Sequence, residues 1–249
     1  MRASIDVCGC FPTGKHYPGI AERMARLVTR VRGMAEGFEP TTVWASAPFV
    51  VLDFETTGLD PEADRVIEIG VACFAGGALV ETRNWLVNPG MPIGEESKAI
   101  TGISDEMVAD APSFEGVWAE VRTFLEGRIP VAYNHAFDSK FLWAECRRMG
   151  LPPRGADLPP AACDDCVWID PLVWAREIQK DQKGHKLGDV CARLGVSLET
   201  AHRASHDAEA AGKVLLALAE KMPERYGDLL RVQHRYAATQ DVEITWRRR

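Results

Sequence analysis

Asp53 and Glu55 lie one residue apart at the end of the apolar run Phe49-Val50-Val51-Leu52, just before Thr56-Thr57-Gly58. In an extended strand, residues i and i+2 share a face. The two carboxylates therefore project together while Phe54 turns back into a core. Parallel carboxylates repel each other unless a cation lies between them, and a hard divalent metal is the natural occupant. A solvated strand edge carrying two surface acids is the blander alternative, but such a pair does not usually follow an apolar run.

Two further segments carry side chains that fit the same chemistry. In Tyr133-Asn134-His135-Ala136-Phe137-Asp138, at a junction between strand and helix, Asp138 falls in the first helical turn. Backbone N–H groups favour an anion there. Asp138 could serve only that dipole, or it could join the first pair. In His202-Arg203-Ala204-Ser205-His206-Asp207, Asp207 opens an apolar helix and His202 precedes it on a loop. An imidazole placed there could take a proton from a metal-held water. The other reading makes His202 a loop residue and Asp207 a cap. His206 is a rival base, turned about 100° from Asp207 if helical geometry already applies.

These segments need a frame. Phe49–Phe54, Arg65–Phe74 and Leu79–Val87 read as strands, the last two joined by the hairpin turn Ala75-Gly76-Gly77-Ala78. Residues 95–126 read as helical pieces with Ser104 and Ser113 as N-caps. Ile129–Tyr133 is a short strand, Ala136–Met149 a helix, and Cys166–Asp170 a fifth strand before a helix started by Pro171. Lys186–Leu194 and Ser205–Lys221 complete the helices. Three strands, then strands alternating with helices, predict a mixed α/β sheet with helices on its faces. Residues 1–17 read as a loose arm. Pro18–Glu36 reads as an amphipathic helix with Arg23, Arg26, Arg30 and Arg32 outward. The tail 224–249 reads as a helix followed by a β-prone Val242–Trp246 and three arginines.

The chain has 249 residues, 46% of them hydrophobic, and a formal net charge of −7. Residues 49–222 hold 17 basic and 28 acidic side chains, so the charge that grips long duplexes is missing there. A polyanionic substrate would have to be neutralised at the site by metal ions and local donors. No apolar run approaches the roughly 18 residues of a membrane span. The acid at Asp6 interrupts any signal-peptide core, so a cytoplasmic location is expected. Seven cysteines suit no disulfide framework. Cys8, Cys10, Cys163 and Cys166 could instead supply a structural zinc, although chance spacing of loop cysteines is the simpler account.

Taken in order, Asp-x-Glu-Thr-Thr-Gly, Asn-His-x-Phe-Asp and His-x-Ala-x-x-Asp resemble the DEDDh 3′–5′ exonucleases, the superfamily of polymerase III epsilon subunits, oligoribonuclease and RNase T. The resemblance runs from about Pro48 to Glu220. It implies a ribonuclease H-like, mixed five-stranded sheet flanked by helices, with an exonuclease domain at 48–222 between an N-terminal arm and helix (1–47) and a basic tail (223–249). It implies that Asp53, Glu55, Asp138 and Asp207 hold two Mg²⁺ or Mn²⁺ ions and that His202 is the general base. It also places Thr56, Thr57, Gly58, Glu96, Thr101, Ile103, Asn134 and Phe137 at the nucleotide. Many epsilon-like members have His at the position of Thr101, so the polymer is left open, whereas Arg203 departs from the tyrosine of the alternative DEDD class. The implied activity releases 5′-mononucleotides from single-stranded or frayed 3′ ends, in DNA proofreading or repair. An oligoribonuclease-like RNA exonuclease, a nucleotide phosphohydrolase and a catalytically silent binding module are the other readings. A DNA polymerase subunit or a second copy of the chain is the expected protein partner, with no membrane.

Overall fold

The structure, a computed structural model, describes residues 31–198 and 203–247, with side chains to residue 240. Three antiparallel strands open the fold: β1 (Phe49–Thr56), β2 (Val66–Ala75) and β3 (Ala78–Leu86). β2 and β3 are joined through Gly76 and Gly77, both at positive φ, as a tight hairpin turn requires. Helices α1 (Glu95–Thr101), α2 (Asp105–Val108) and α3 (Phe114–Leu125) follow, and the Ser113 hydroxyl caps α3 by accepting from the Gly116 N–H at 3.2 Å. β4 (Ile129–Val131) then pairs parallel to β1, giving the sheet order β3-β2-β1-β4. After it come α4 (Ala136–Arg148), α5 (Pro171–Ile178), α6 (Leu187–Leu194), α7 (Ala204–Leu218) and α8 (Tyr226–Arg247).

The fold class is thus the mixed α/β sheet with flanking helices that the sequence predicts, but the described sheet has four strands, not five. The expected fifth strand, Cys166–Asp170, makes a single parallel bridge, Val131 to Ile169. Its neighbour β4 is only three residues long, and the chain turns at Asp170 into α5, so no ladder can extend. The β-prone Val242–Trp246 lies inside α8: continuing an established helix costs less than starting a strand with nothing to pair against. The expected N-terminal arm and most of the amphipathic helix lie outside the described residues.

Strand alternation sorts β1 onto two cores. Val50, Leu52 and Phe54 pack with Phe114, Val121, Phe141 and Leu142 of α3 and α4. Phe49 and Val51 pack with Ala208, Ala211, Val214 and Leu215 of α7. Asp53 and Glu55 continue the second face, under the N-terminal end of α7. Two glycines let that helix lie directly on the sheet. A Cβ on Gly212 would fall 2.3 Å from the Phe74 ring, and one on Gly70 would fall 2.0 Å from the Ala204 backbone.

The segments flanking the expected domain clasp each other. The Trp44 indole donates to the Pro223 carbonyl at 2.8 Å, Val43 bridges Arg225, and the Tyr226 N–H donates to the Thr42 carbonyl at 2.9 Å. Trp44 and Tyr226 are both buried. Among the described residues no helix is long and apolar enough to cross a membrane.

Because the atoms that a Cβ on Gly70 would strike are backbone, no side-chain rotation relieves them. Gly70→Ala should therefore lower unfolding free energy by about 2–3 kcal/mol. A urea titration would show this as a lower midpoint at unchanged slope, and an unmoved midpoint would refute the close approach.

Candidate active site

β1 and β2 set the first part of the site through their register. Asp53 pairs with Gly70 and Glu55 with Glu68, and the register breaks between Glu55 and Thr56, ending the strand just beyond the acids. α7 supplies the third acid, in its first turn. Oxygens of Asp53, Glu55 and Asp207 all lie within 4.8 Å of one another, and all three residues are partly exposed. Asp138, in the first turn of α4, is buried. Its Oδ1 accepts the Phe54 N–H at 3.0 Å, between the two strand acids. The structure therefore brings the three partly exposed acids into one cluster and sets the fourth against its backbone.

The electrostatics show strong crowding. Burial, then Asp138, Asp207, Glu55 and Glu68 in turn, raise the Asp53 carboxyl well above its ordinary range. Burial raises Asp138 too, against hydrogen bonds that oppose the rise. Burial and then Glu68 lift Glu55 from 4.5 to about 7, with Arg203 pulling the other way. Acids so placed favour protons or a cation. An all-oxygen donor set suits a hard divalent ion.

The remaining expected site residues fall as follows. His202 lies outside the described residues; His206 is exposed on α7 beside Asp207. The Thr56 hydroxyl donates to the Gly58 carbonyl at 2.6 Å, and the Thr56 carbonyl accepts from Ser97 at 2.6 Å. The Thr57 hydroxyl donates to Asp64 at 3.1 Å and accepts the Arg65 N–H at 3.0 Å. This loop is thus stitched internally, and α1 is tied to it through Ser97. The Thr101 hydroxyl is spent on the Ser97 carbonyl and the Ile103 N–H, and Ile103 is fully buried in a small cluster with Ile67, Ile93 and Val108. Glu96 is exposed, Phe137 packs on Phe141, and Asn134 is exposed at a left-handed φ of 68°. Cys8 and Cys10 lie outside the described residues. Burial raises both the Cys163 and the Cys166 thiols, and no thiol joins a metal-sized ligand group among the described residues.

A family model described as "Exonuclease" matches residues 50–215. The chain belongs to this exonuclease family. It is 37% identical over 200 residues to a protein named DNA polymerase III PolC-type from Thermotoga maritima, covering 80% of the chain and 14% of that relative. The protein of the same name from Streptococcus pneumoniae is 33% identical over 190 residues, covering 76% and 12%. The chain thus spans about one-seventh of the length of these relatives. Among solved structures, exonuclease X in complex with 5′ overhanging duplex DNA superposes with a TM-score of 0.58 at 23% identity, covering 74% of the chain and 99% of that one. The nuclease domain of 3′hExo, a DEDDh family member bound to rAMP, gives 0.59 at 19%, covering 72% and 95%. At those identities the two structures attest the shared fold alone.

In this exonuclease domain the structure adds a residue that spacing alone did not single out. Glu68 is fully buried. Its Oε2 accepts the Ala204 N–H at 3.1 Å, and its Oε1 accepts from Asn84 at 2.8 Å and lies 3.2 Å from Arg203 Nη2. It anchors the start of α7, and hence Asp207, to β2. The signal was present in the sequence, as a lone acid within the apolar run Val66–Ala72.

Glu68→Ala would leave the buried Ala204 N–H without a partner and free the exposed Asn84 amide from its anchor, a loss of about 1–3 kcal/mol measurable by denaturant titration. The acid cluster also fixes a pH dependence. Glu55 titrates near 7 in the folded chain against 4.5 ordinarily, so the folded state holds a proton the unfolded state has released. Metal-free stability should then fall as pH rises between those values. A divalent ion displaces that proton, so Mn²⁺ should raise the melting temperature more at about pH 8 than at about pH 5.5. The difference should be about 2–4 °C per kcal/mol of added binding. A shift independent of pH would count against a metal at these acids.

Proposed function

We propose that this chain is a metal-dependent 3′–5′ exonuclease that releases 5′-mononucleotides from single-stranded or frayed 3′ ends, in DNA proofreading or repair. The convergence of Asp53, Glu55 and Asp207 within 4.8 Å, with Asp138 bonded to the strand between the first two, carries this reading. Residues 48–222 form the exonuclease domain, flanked by the arm and helix of 1–47 and the basic tail 223–249. The PolC-type names of the relatives favour a replication setting, with a DNA polymerase subunit or a second copy as partner and a cytoplasmic location.

The four acids would hold two Mg²⁺ or Mn²⁺ ions, which when bound supply an acidified water and neutralise phosphate charge. Asp138, fixed by the Phe54 N–H, keeps β1 from shifting under the repulsion of its own acids. Glu68 and Gly70 hold the start of α7 so that Asp207 closes the set. His202, next to Arg203 in sequence, would take the proton from the attacking water. The internally bonded Thr56–Gly58 loop presents backbone rather than side-chain hydroxyls to the terminal nucleotide. Exposed Glu96 and Asn134 are the polar side chains left to meet it, together with Phe137. Thr101 and Ile103, being buried, would act by shaping the wall. An RNA exonuclease of the oligoribonuclease or RNase T type uses the same chemistry and differs only in the polymer chosen.

With 5′-labelled DNA and RNA oligomers side by side, Mg²⁺ should give a ladder of shortened products that EDTA abolishes. Asp53→Asn should cut the rate by more than about 10³-fold. Full metal-dependent activity in that variant would sink the assignment. Binding without cleavage would point to a silent module, and phosphate release from free nucleotides to a phosphohydrolase. Faster digestion of RNA than DNA would move the substrate to RNA.

A further inference from the structure

An open cleft of about 510 Å³ lies between the turn after β4, the α5 helix and the start of α6, lined by Tyr133, Asn134, Leu172, Arg176, His185 and Lys186. That is room for a nucleotide unit. The segment that carries its cations, 171–193, holds five Lys/Arg against three Asp/Glu, within a 49–222 region that is acidic as a whole. Neither Arg176 nor Lys186 takes part in an ion pair among the described residues. Arg176 is partly exposed and Lys186 exposed.

The walls are held in place by bonds that leave the cations unused. The Tyr133 hydroxyl donates to the His185 carbonyl at 2.6 Å. Buried Asp170 accepts from the Asn134 and Leu172 N–H groups on Oδ1, at 3.0 and 2.9 Å, and from the His135 N–H on Oδ2 at 3.2 Å. Asp170, buried behind the cleft wall, is therefore spent on these backbone donors and on the His135 ring, and forms no ion pair with either cation. Arg193 donates to the Lys183 and Gly184 carbonyls, at 3.1 and 2.7 Å, and fixes the loop that carries His185 and Lys186. Among the described residues, Asn134 alone of the non-glycines has a positive φ. Asp170 holds that conformation, which an unsupported residue would leave.

The cleft adjoins the acid cluster through the chain itself. Asn134 precedes Asp138 by one helical turn, and Asp138 is bonded to Phe54 between Asp53 and Glu55. β1 and β4 run parallel, so both features lie at carboxyl ends of strands, where ligands of α/β sheets bind. We propose that this cleft is a phosphate subsite for the single strand upstream of its 3′ end. Arg176 and Lys186 neutralise backbone phosphates there, while the terminal nucleotide occupies the acids. This rests on the exonuclease reading.

The test measures binding of fluorescein-labelled dT oligomers, of two to eight nucleotides, by anisotropy in Ca²⁺. Wild-type affinity should rise with length beyond the dinucleotide. Arg176→Ala with Lys186→Ala should erase that rise, weakening the octamer about 10-fold or more, and flatten the salt dependence by about 0.7 per lost phosphate contact. The charge-keeping pair Arg176→Lys with Lys186→Arg should restore most of it. Equal loss for dinucleotide and octamer, or no loss, would overturn the proposal. So would displacement of the octamer by dAMP with an affinity that depends on the same two cations, since the cleft would then hold free nucleotide. A chain that makes no ladder yet shows the length increment loses the exonuclease reading and keeps the cleft; a ladder without the increment does the reverse.

Discussion

Repulsion among crowded carboxylates, some buried and some partly exposed, is the constraint on which the rest of this structure depends. Burial first, and then the neighbouring charges of the set, with Asp207 and Glu68 among them, raise the proton affinity of Asp53, Glu55 and Asp138. Left to themselves, such groups would separate into water. They stay together because each is tied to an element that cannot move without loss elsewhere. Two are consecutive same-face residues of a strand with an apolar face on its other side. One accepts a backbone N–H of that strand, and one rides on a helix laid flat on two glycines. The free energy stored in their crowding is released when a cation enters, so rigidity here becomes metal affinity.

The same logic extends to the turn after β4. Asp170 is a buried acid, but its oxygens are filled by N–H donors from Asn134, His135 and Leu172, and its own N–H donates to Gln233 of α8 at 2.9 Å. Gln233 also accepts from the Trp174 indole at 3.1 Å and donates to the Trp168 carbonyl at 2.8 Å. A helix that reads as a mere tail in sequence therefore braces the loop next to the site. On the opposite side, Arg148 donates to the carbonyls of Pro61, Glu62 and Asp64 and lies 3.1 Å from buried Glu145. It pins the loop that follows Gly58.

Most elements were legible because their signals are local. Alternation placed β1 and β2, the Gly-Gly pair placed their hairpin with β3, Pro171 opened α5, and Gly195 closed α6 in a left-handed conformation. The misreadings concern partners. Cys166–Asp170 has a strand's composition, yet whether it ladders depends on the length of β4 beside it. Val242–Trp246 is β-prone, yet it continues a helix that docks through residues upstream. Thr101 and Ile103 are no such case: packing adds to their expected place at the nucleotide that their side chains turn inward. Glu68 was visible as an acid in an apolar run, but its role depends on what lies opposite it.

The sequence by itself determined the chemistry. The types and spacing of Asp53 and Glu55, with Asp138 and Asp207 each at a helix start, specify carboxylates that a backbone of period two or 3.6 must present in fixed directions. Periodicity is a property of consecutive residues, so it can be read without the fold. The tertiary structure alone decided which acids come within 4.8 Å of one another and which one is bonded to the strand behind them. It also decided that Glu68 anchors α7, and that Arg176 and Lys186 meet across a cleft beside Asn134. Those relations join residues tens to more than a hundred positions apart. Their distances are set by how helices seat on the sheet, through glycines at 70 and 212 and a buried acid at 170, and no local pattern encodes that seating.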